Sequence, residues 1–177
     1  MDGAAPRDFR QVLRTATRAD HDRVDALVSG LDLSTRAGFA RFLRVHLACF
    51  AALDAAASGP DGLGRVVAAL RSDLGRVEPR AALPTVALPP IDPLAAAYMV
   101  EGSRMGTQVL RPRWVASRDP VVAAADAYFG LPPAPGAWRA VREGLSSIDP
   151  DGSRARRIVS DARAVFAAFE AALHATA

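Results

Sequence analysis

The sequence predicts an all-α protein, a single-domain multi-helix bundle. Half of its 177 residues are hydrophobic, yet only 6% are aromatic. Alanine and leucine supply most of the apolar mass, and both favour helix. No run of alternating β-branched and aromatic residues reads as a strand. A chain of this length suits one domain with a sizeable core.

Asp8 stands where the first helical pattern begins. Phe9, Val12, Leu13, Ala16, Val24, Leu27 and Val28 then recur at three- and four-residue spacing, and Gly30 is the natural stop. A second helix is expected from Ser34 as N-cap through Phe39, Phe42, Leu43, His46 and Phe50 to about Ala57. SGPDG (58–62) reads as a turn, and a third helix follows from Leu63 to Arg76. Residues 77–92 form a proline-studded connector. Asp92-Pro93 pairs an N-cap with Pro at the first helical position, so a fourth helix starts there and is expected to end before Pro112. A further helix is expected over Pro120–Phe129, broken by LPPAPG (131–136). Trp138–Leu145 and Gly152–Ala175 complete a set of about seven helices, with no repeat. Residues 1–7 are expected to be a flexible N-terminus.

Composition removes several function classes. The net charge is +3, and all 22 basic residues are arginine. The 19 acids are interleaved with them, so no basic stripe points to nucleic acid. Cys49 is the only cysteine, which excludes an intrachain disulfide and a thiolate metal cluster; an apolar context makes it a buried inert thiol. MDGAAPRDF has no basic segment followed by an apolar one. No apolar run reaches the roughly 20 residues that span a bilayer. A cytoplasmic protein without a membrane partner is expected.

Three histidines carry unequal weight. His174 lies in a terminal turn. His46, in FLRVHLACF, faces the core and reads as a packed, hydrogen-bonded histidine. His21 has Asp25 four residues on, so the two meet on one helix face. A carboxylate there can accept the Nδ1 proton and leave Nε2 free for a metal. Arg14, seven residues earlier, lies on the same face about 10 Å along the axis. A histidine-bound iron with anionic groups about 10 Å away describes haem and its propionates. Taken alone, the stretch is better described by a surface histidine simply paired with Asp25.

The segment YMVEGSRMGTQVL (98–110) adds a second feature. It is apolar enough for a core helix, yet Gly102 and Gly106 lie one turn apart on one face. Each interior glycine costs roughly 1 kcal/mol against alanine. Bare of Cβ atoms, the face admits either a flat ligand or a closely packed helix, and it also permits a kink. Ser103 adds a hydroxyl beside it.

The stretches VLRTATRADHDRVDAL (12–27) and YMVEGSRMGTQVL (98–110) together resemble the haem oxygenases. The resemblance is to the bacterial, biliverdin-producing branch that often serves phytochromes. That branch shows a proximal-histidine phrase like TRxxHxxxD/E and a distal-helix phrase like YVLEGSxLGG, in this order and at this spacing. The similarity extends over nearly the whole chain, including RFLRVH (41–46) and VFAAFEAAL (165–173). It implies a haem oxygenase-like bundle over residues 1–177, with haem between a proximal N-terminal helix and a distal glycine-containing helix.

The same resemblance implies roles. His21 falls on the proximal iron ligand, Asp25 on the carboxylate that holds it and Arg14 on a propionate-binding residue. Gly102, Ser103 and Gly106 fall on the distal catalytic helix, with Tyr98 and Thr107 flanking them at the haem. Arg142 matches a second propionate-binding arginine, and Phe166 the C-terminal aromatic beside the haem. The implied activity is oxidative cleavage of haem by O2 and reducing equivalents to biliverdin, carbon monoxide and ferrous iron. The implied partners are an electron donor such as a ferredoxin or a flavin reductase, and a phytochrome accepting biliverdin. Two positions differ from other members. Ser103 stands where mammalian members carry Asp, and Thr107 replaces the family's second paired glycine. Two competing readings are a haem-binding or haem-sensing protein without turnover, and a helical interaction protein that has lost haem.

Overall fold

Asp8 opens the first helix by accepting the Arg10 N–H at 3.0 Å, and the Gly30 N–H closes it on the Ala26 and Leu27 carbonyls. A computed structural model describes residues 8–57 and 62–177. Among these residues the chain forms eight helices and no strand. They are α1 (Phe9–Ser29), α2 (Arg36–Ala56), α3 (Leu63–Val77), α4 (Pro93–Val115), α5 (Pro120–Ala124), α6 (Ala127–Gly130), α7 (Ala137–Ser146) and α8 (Ser153–Ala175). Residues 1–7 and the first four residues of the SGPDG turn lie outside the described residues. Gly62, the last of that turn, caps α3 at φ +92°, a left-handed conformation that favours glycine.

Three boundaries differ from the sequence expectation, each for a reason that lies off the local pattern. The cap of α2 is Thr35, not Ser34. Thr35 Oγ1 accepts the Gly38 N–H, while the Ser34 hydroxyl donates to Asp32 at 2.6 Å. The fourth helix runs through Pro112 to Val115 instead of ending before it. Proline removes one helical hydrogen bond, but two tertiary contacts hold the final turn in place. Trp114 is buried and its indole N–H donates to the Val122 carbonyl at 3.0 Å; Arg113 donates to the Leu31 carbonyl at 2.5 Å. The expected helix over Pro120–Phe129 is split into α5 and α6. The fully buried Asp73 carboxylate on α3 accepts the Ala127 N–H at 3.0 Å and the Tyr128 N–H at 2.8 Å, restarting the chain as a new turn.

The core is one continuous cluster centred on α2 and α8. Phe39, Phe42, Leu43, Phe50 and Leu53 of α2 are fully enclosed, as are Ile158, Ala162 and Val165 of α8. Helix α8 packs against α1, α2 and α4, while α7 packs against α1 and α4. Polar clamps fix the same pairs. Asp20 and Arg23 of α1 pair with Arg163 and Glu170 of α8 at 3.5 and 3.3 Å. Exposed pairs of this kind contribute up to about 1 kcal/mol each. At the start of α4, the Asp92 N–H donates to the buried Asp161 carboxylate at 2.8 Å, and Arg154 pairs with Asp92 at 3.0 Å. No helix among the described residues is long and apolar enough to cross a membrane.

Cys49 is buried, and burial pushes its thiol up to about 12, so it stays protonated. His46 is the packed histidine its context suggests. Its Nδ1–H donates to the Phe42 carbonyl at 2.9 Å, and its ring lies against Phe42 and Phe169. Burial pushes its pKa down from 6.5 to about 4. The unfolded chain therefore binds one more proton between those values. The stability this group contributes is complete above pH 6.5 and is lost as pH falls towards 4. The shift corresponds to a change on the order of 3 kcal/mol across that window. Asp92 and Asp119, whose pKa values lie below 3.8, act below it. Urea unfolding at pH 7 and pH 5 is expected to show the loss in the parent and a flatter acid limb in His46→Leu. Equal slopes in the two proteins would refute the assignment.

Candidate functional site

Three helices meet at Thr17 of α1, Tyr98 of α4 and Trp138 of α7. The Tyr98 and Trp138 rings stack with centroids 6.2 Å apart. Burial raises the Tyr98 phenol, while the adjacent Thr17 hydroxyl and the charge of Arg14 pull it back. Thr17 is itself buried and donates to the Leu13 carbonyl at 2.9 Å. One helical turn on from Thr17 and Tyr98 stand His21 and Gly102; Arg142 is one turn on from Trp138, but α7 runs antiparallel to α4, with Gly144 against Leu94, so it lies on the other side of the junction. Those are three of the positions singled out from the sequence.

His21 stands on the polar flank of α1, half exposed. Its Nδ1 lies 3.5 Å from an Asp25 carboxylate oxygen and 3.6 Å from one of Asp22. Both acids face the same ring nitrogen, which leaves Nε2 as the free one. The Phe166 ring of α8, itself buried, meets the imidazole edge-on at 5.9 Å. The expected meeting of His21 and Asp25 on one helix face is therefore present in the structure, and Phe166 lies beside that histidine. Arg14 and Arg142 are exposed and make no ion pair among the described residues.

Gly102 and Gly106 are bare in fact as well as in sequence. A Cβ placed on either would meet no atom within 4 Å. The close helix–helix contact that could explain such glycines is absent at these two positions. Met105 and Val109, at 51% and 76% exposure, fall within the same arc of about 100° as the glycines. That face of α4 presents backbone and apolar side chains to open space.

Ser103 and Thr107 do not belong to this face. Thr107 is 6% exposed and turned inward. Its hydroxyl donates to the Ser103 carbonyl at 3.0 Å and lies 3.1 Å from the Tyr128 hydroxyl. The Ser103 side chain also acts on the Tyr128 phenol. With Arg104, Gln108, Phe129 and Leu131, Thr107 and Tyr128 line a cleft with room for about one water. Sequence reasoning missed Thr17, Trp138, Tyr128 and Asp73. The spacing of four before His21 and Arg142 could have pointed to the first two. Nothing in the sequence pairs Tyr128 with Thr107 or Asp73.

Among the described residues no three His, Cys, Asp or Glu side chains are grouped to hold a metal ion. His21 can supply one nitrogen ligand, which suits an ion whose other ligands come with it. The donor set fits a flat metallo-macrocycle with carboxylates: one imidazole, two spare guanidiniums, an aromatic edge and a helix face without Cβ atoms. No protein-family model matches the chain, and no curated protein matches it either.

If the glycines serve a ligand instead of the fold, filling them should help the empty protein. Gly102→Ala and Gly106→Ala are each expected to stabilise the ligand-free chain by up to about 1 kcal/mol, raising Tm by a few degrees. Thermal unfolding followed by circular dichroism checks this. A fall in Tm for both would mean that the face is packed after all.

Proposed function

We propose that the chain binds haem between α1 and α4 and opens it oxidatively to biliverdin, carbon monoxide and ferrous iron, as a haem oxygenase does. One observation carries the reading. A half-exposed histidine and a bare glycine stand one turn beyond Thr17 and Tyr98, on two helices joined at one junction, and Arg14 is a spare guanidinium whose charge reaches the same Tyr98. The resemblance of the two sequence phrases supports the same assignment independently.

In this reading His21 offers Nε2 to the iron, while Asp25 and Asp22 hold its Nδ1–H and fix the tautomer. Phe166 limits rotation of the imidazole from the α8 side. Arg14 and Arg142 meet the carboxylates, for which a fixed, permanently charged, bidentate donor is well suited. Gly102 and Gly106 allow the α4 backbone to approach a flat ring closely. Bound haem would supply both the redox iron and the porphyrin ring that is cleaved. A neutral imidazole, unlike a thiolate, does not favour O–O cleavage, in keeping with oxygen transfer to the ring edge. The face of α4 carries no acid that would protonate bound oxygen. An electron donor such as a ferredoxin or flavin reductase completes the requirement, and a phytochrome is a fitting acceptor for biliverdin.

Thr107, in place of the family's glycine, would favour haem binding without turnover if it narrowed the ligand face. Its hydroxyl is committed to Tyr128 and Ser103, so it leaves the glycine face as open as glycine would. Titration with hemin is expected to give a Soret band that His21→Ala abolishes or strongly shifts. Arg14→Ala and Arg142→Ala should each weaken hemin uptake several-fold, since each removes one charge-assisted contact. Adding a reductant with catalase present should then replace the Soret band by biliverdin absorption. Stable ferrous haem would instead indicate a binding or sensing protein, and no uptake at all would end the haem reading.

A further inference from the structure

Among the described residues, a Cβ on Gly102 or Gly106 of α4 would meet nothing within 4 Å. Thr107 pairs with Tyr128, and Arg104 donates to the Leu131 and Pro132 carbonyls at 2.8 and 3.0 Å. Both ties reach the stretch that begins with α6, which Asp73 fastens to α3 through two backbone N–H groups. The Tyr128 ring is also wedged against Phe42, at 5.8 Å, and against His46, at 6.2 Å.

The hydroxyl chemistry has a direction. Thr107 has one hydroxyl proton, and the Ser103 carbonyl, which can only accept, takes it at 3.0 Å. The Tyr128 O–H must then be the donor to Thr107 Oγ1. The Ser103 carbonyl lies in the turn between the two glycines. A threonine bonding back four residues weakens and bends a helix, and glycine flanks offer the least resistance to bending. The chain Tyr128 O–H to Thr107 O–H to Ser103 carbonyl therefore acts on the most pliant turn of α4.

We propose that Tyr128 is a positioning residue that sets the bend of the Gly102–Gly106 turn through Thr107. It holds the bare face of α4 at the standing from which a ligand is met. The role in ligand contact rests on the haem reading above; the control of the turn does not.

Amide hydrogen exchange on the ligand-free full chain tests the control directly. Tyr128→Phe and Thr107→Val, each removing one hydroxyl from the pair, are expected to raise exchange at residues 103–110 several-fold. The double variant should resemble either single, and Thr107→Ser, which keeps the hydroxyl, should resemble the parent. Exchange in α2 and α8 should not change, which separates positioning from general loosening. Unchanged exchange at 103–110, a rise spread evenly over the protein, or additive effects would each overturn the proposal. The same variants are then titrated with hemin. If the parent binds, an altered ferric electron paramagnetic resonance signal in Tyr128→Phe and Thr107→Val, restored in Thr107→Ser, extends the role to the ligand face. Identical signals in all four overturn that extension. If the parent takes up no hemin, the haem reading fails while the exchange result still decides the positioning role.

Discussion

One helix, α8, fixes how the two halves of the candidate site stand. It packs against α1, α2 and α4, and its residues Ile158, Ala162, Val165 and Phe169 are buried in the core, Phe169 against His46 and Phe50 of α2. Apolar packing alone would let α1 or α4 slide along α8. The registers are set by polar groups: Arg163 and Glu170 hold α1, while Asp161 and Arg154 hold the start of α4. Asp161 matters more than the exposed pairs. It is buried and accepts a backbone N–H at a helix start, where an unmet donor would cost about 1–3 kcal/mol. Phe166, between these clamps, brings the same helix against His21. The spacing of α1 and α4 therefore depends on α8.

The glycines illustrate how a cost can be read. Two glycines on one face of a helix serve either a close neighbour or a visitor. At Gly38 the first case is visible elsewhere in this fold, since a Cβ there would sit 2.1 Å from the Asp32 carbonyl oxygen. At Gly102 and Gly106 there is no such neighbour. The helix gives up stability at two positions where its own packing asks for nothing. Exposure of Met105 and Val109 beside them goes against the usual tendency to bury large apolar side chains. Each departure alone is ordinary; together, one turn past a three-helix junction, they mark a surface kept for contact.

What was legible in the sequence was local. Asp8, Gly30 and Asp92-Pro93 announce helix ends because capping involves only neighbouring backbone. The His21–Asp25 pair was legible for the same reason, being one helical turn. Pro112 misled because its local penalty is overridden by Trp114 and Arg113, whose partners Val122 and Leu31 lie in other segments. The break at Ala125–Asp126 was hidden because its cause, Asp73, sits some fifty residues upstream. The direction of Thr107 was equally hidden. A threonine on an amphipathic helix can face a ligand or the core, and only the Tyr128 hydroxyl decides it.

The placement of polarity also limits what kind of ligand the site can favour. On α4 the open face offers backbone, a thioether and a valine, so a small polar molecule would lose its hydration there without gaining partners. Ser103 and Thr107, which could have made the face polar, are drawn towards Tyr128 on the far side of the helix. That face of α4 therefore suits an apolar surface better than a small polar molecule. The Thr107 hydroxyl, bonded to the Ser103 carbonyl and to Tyr128, is turned away from that face and leaves it apolar.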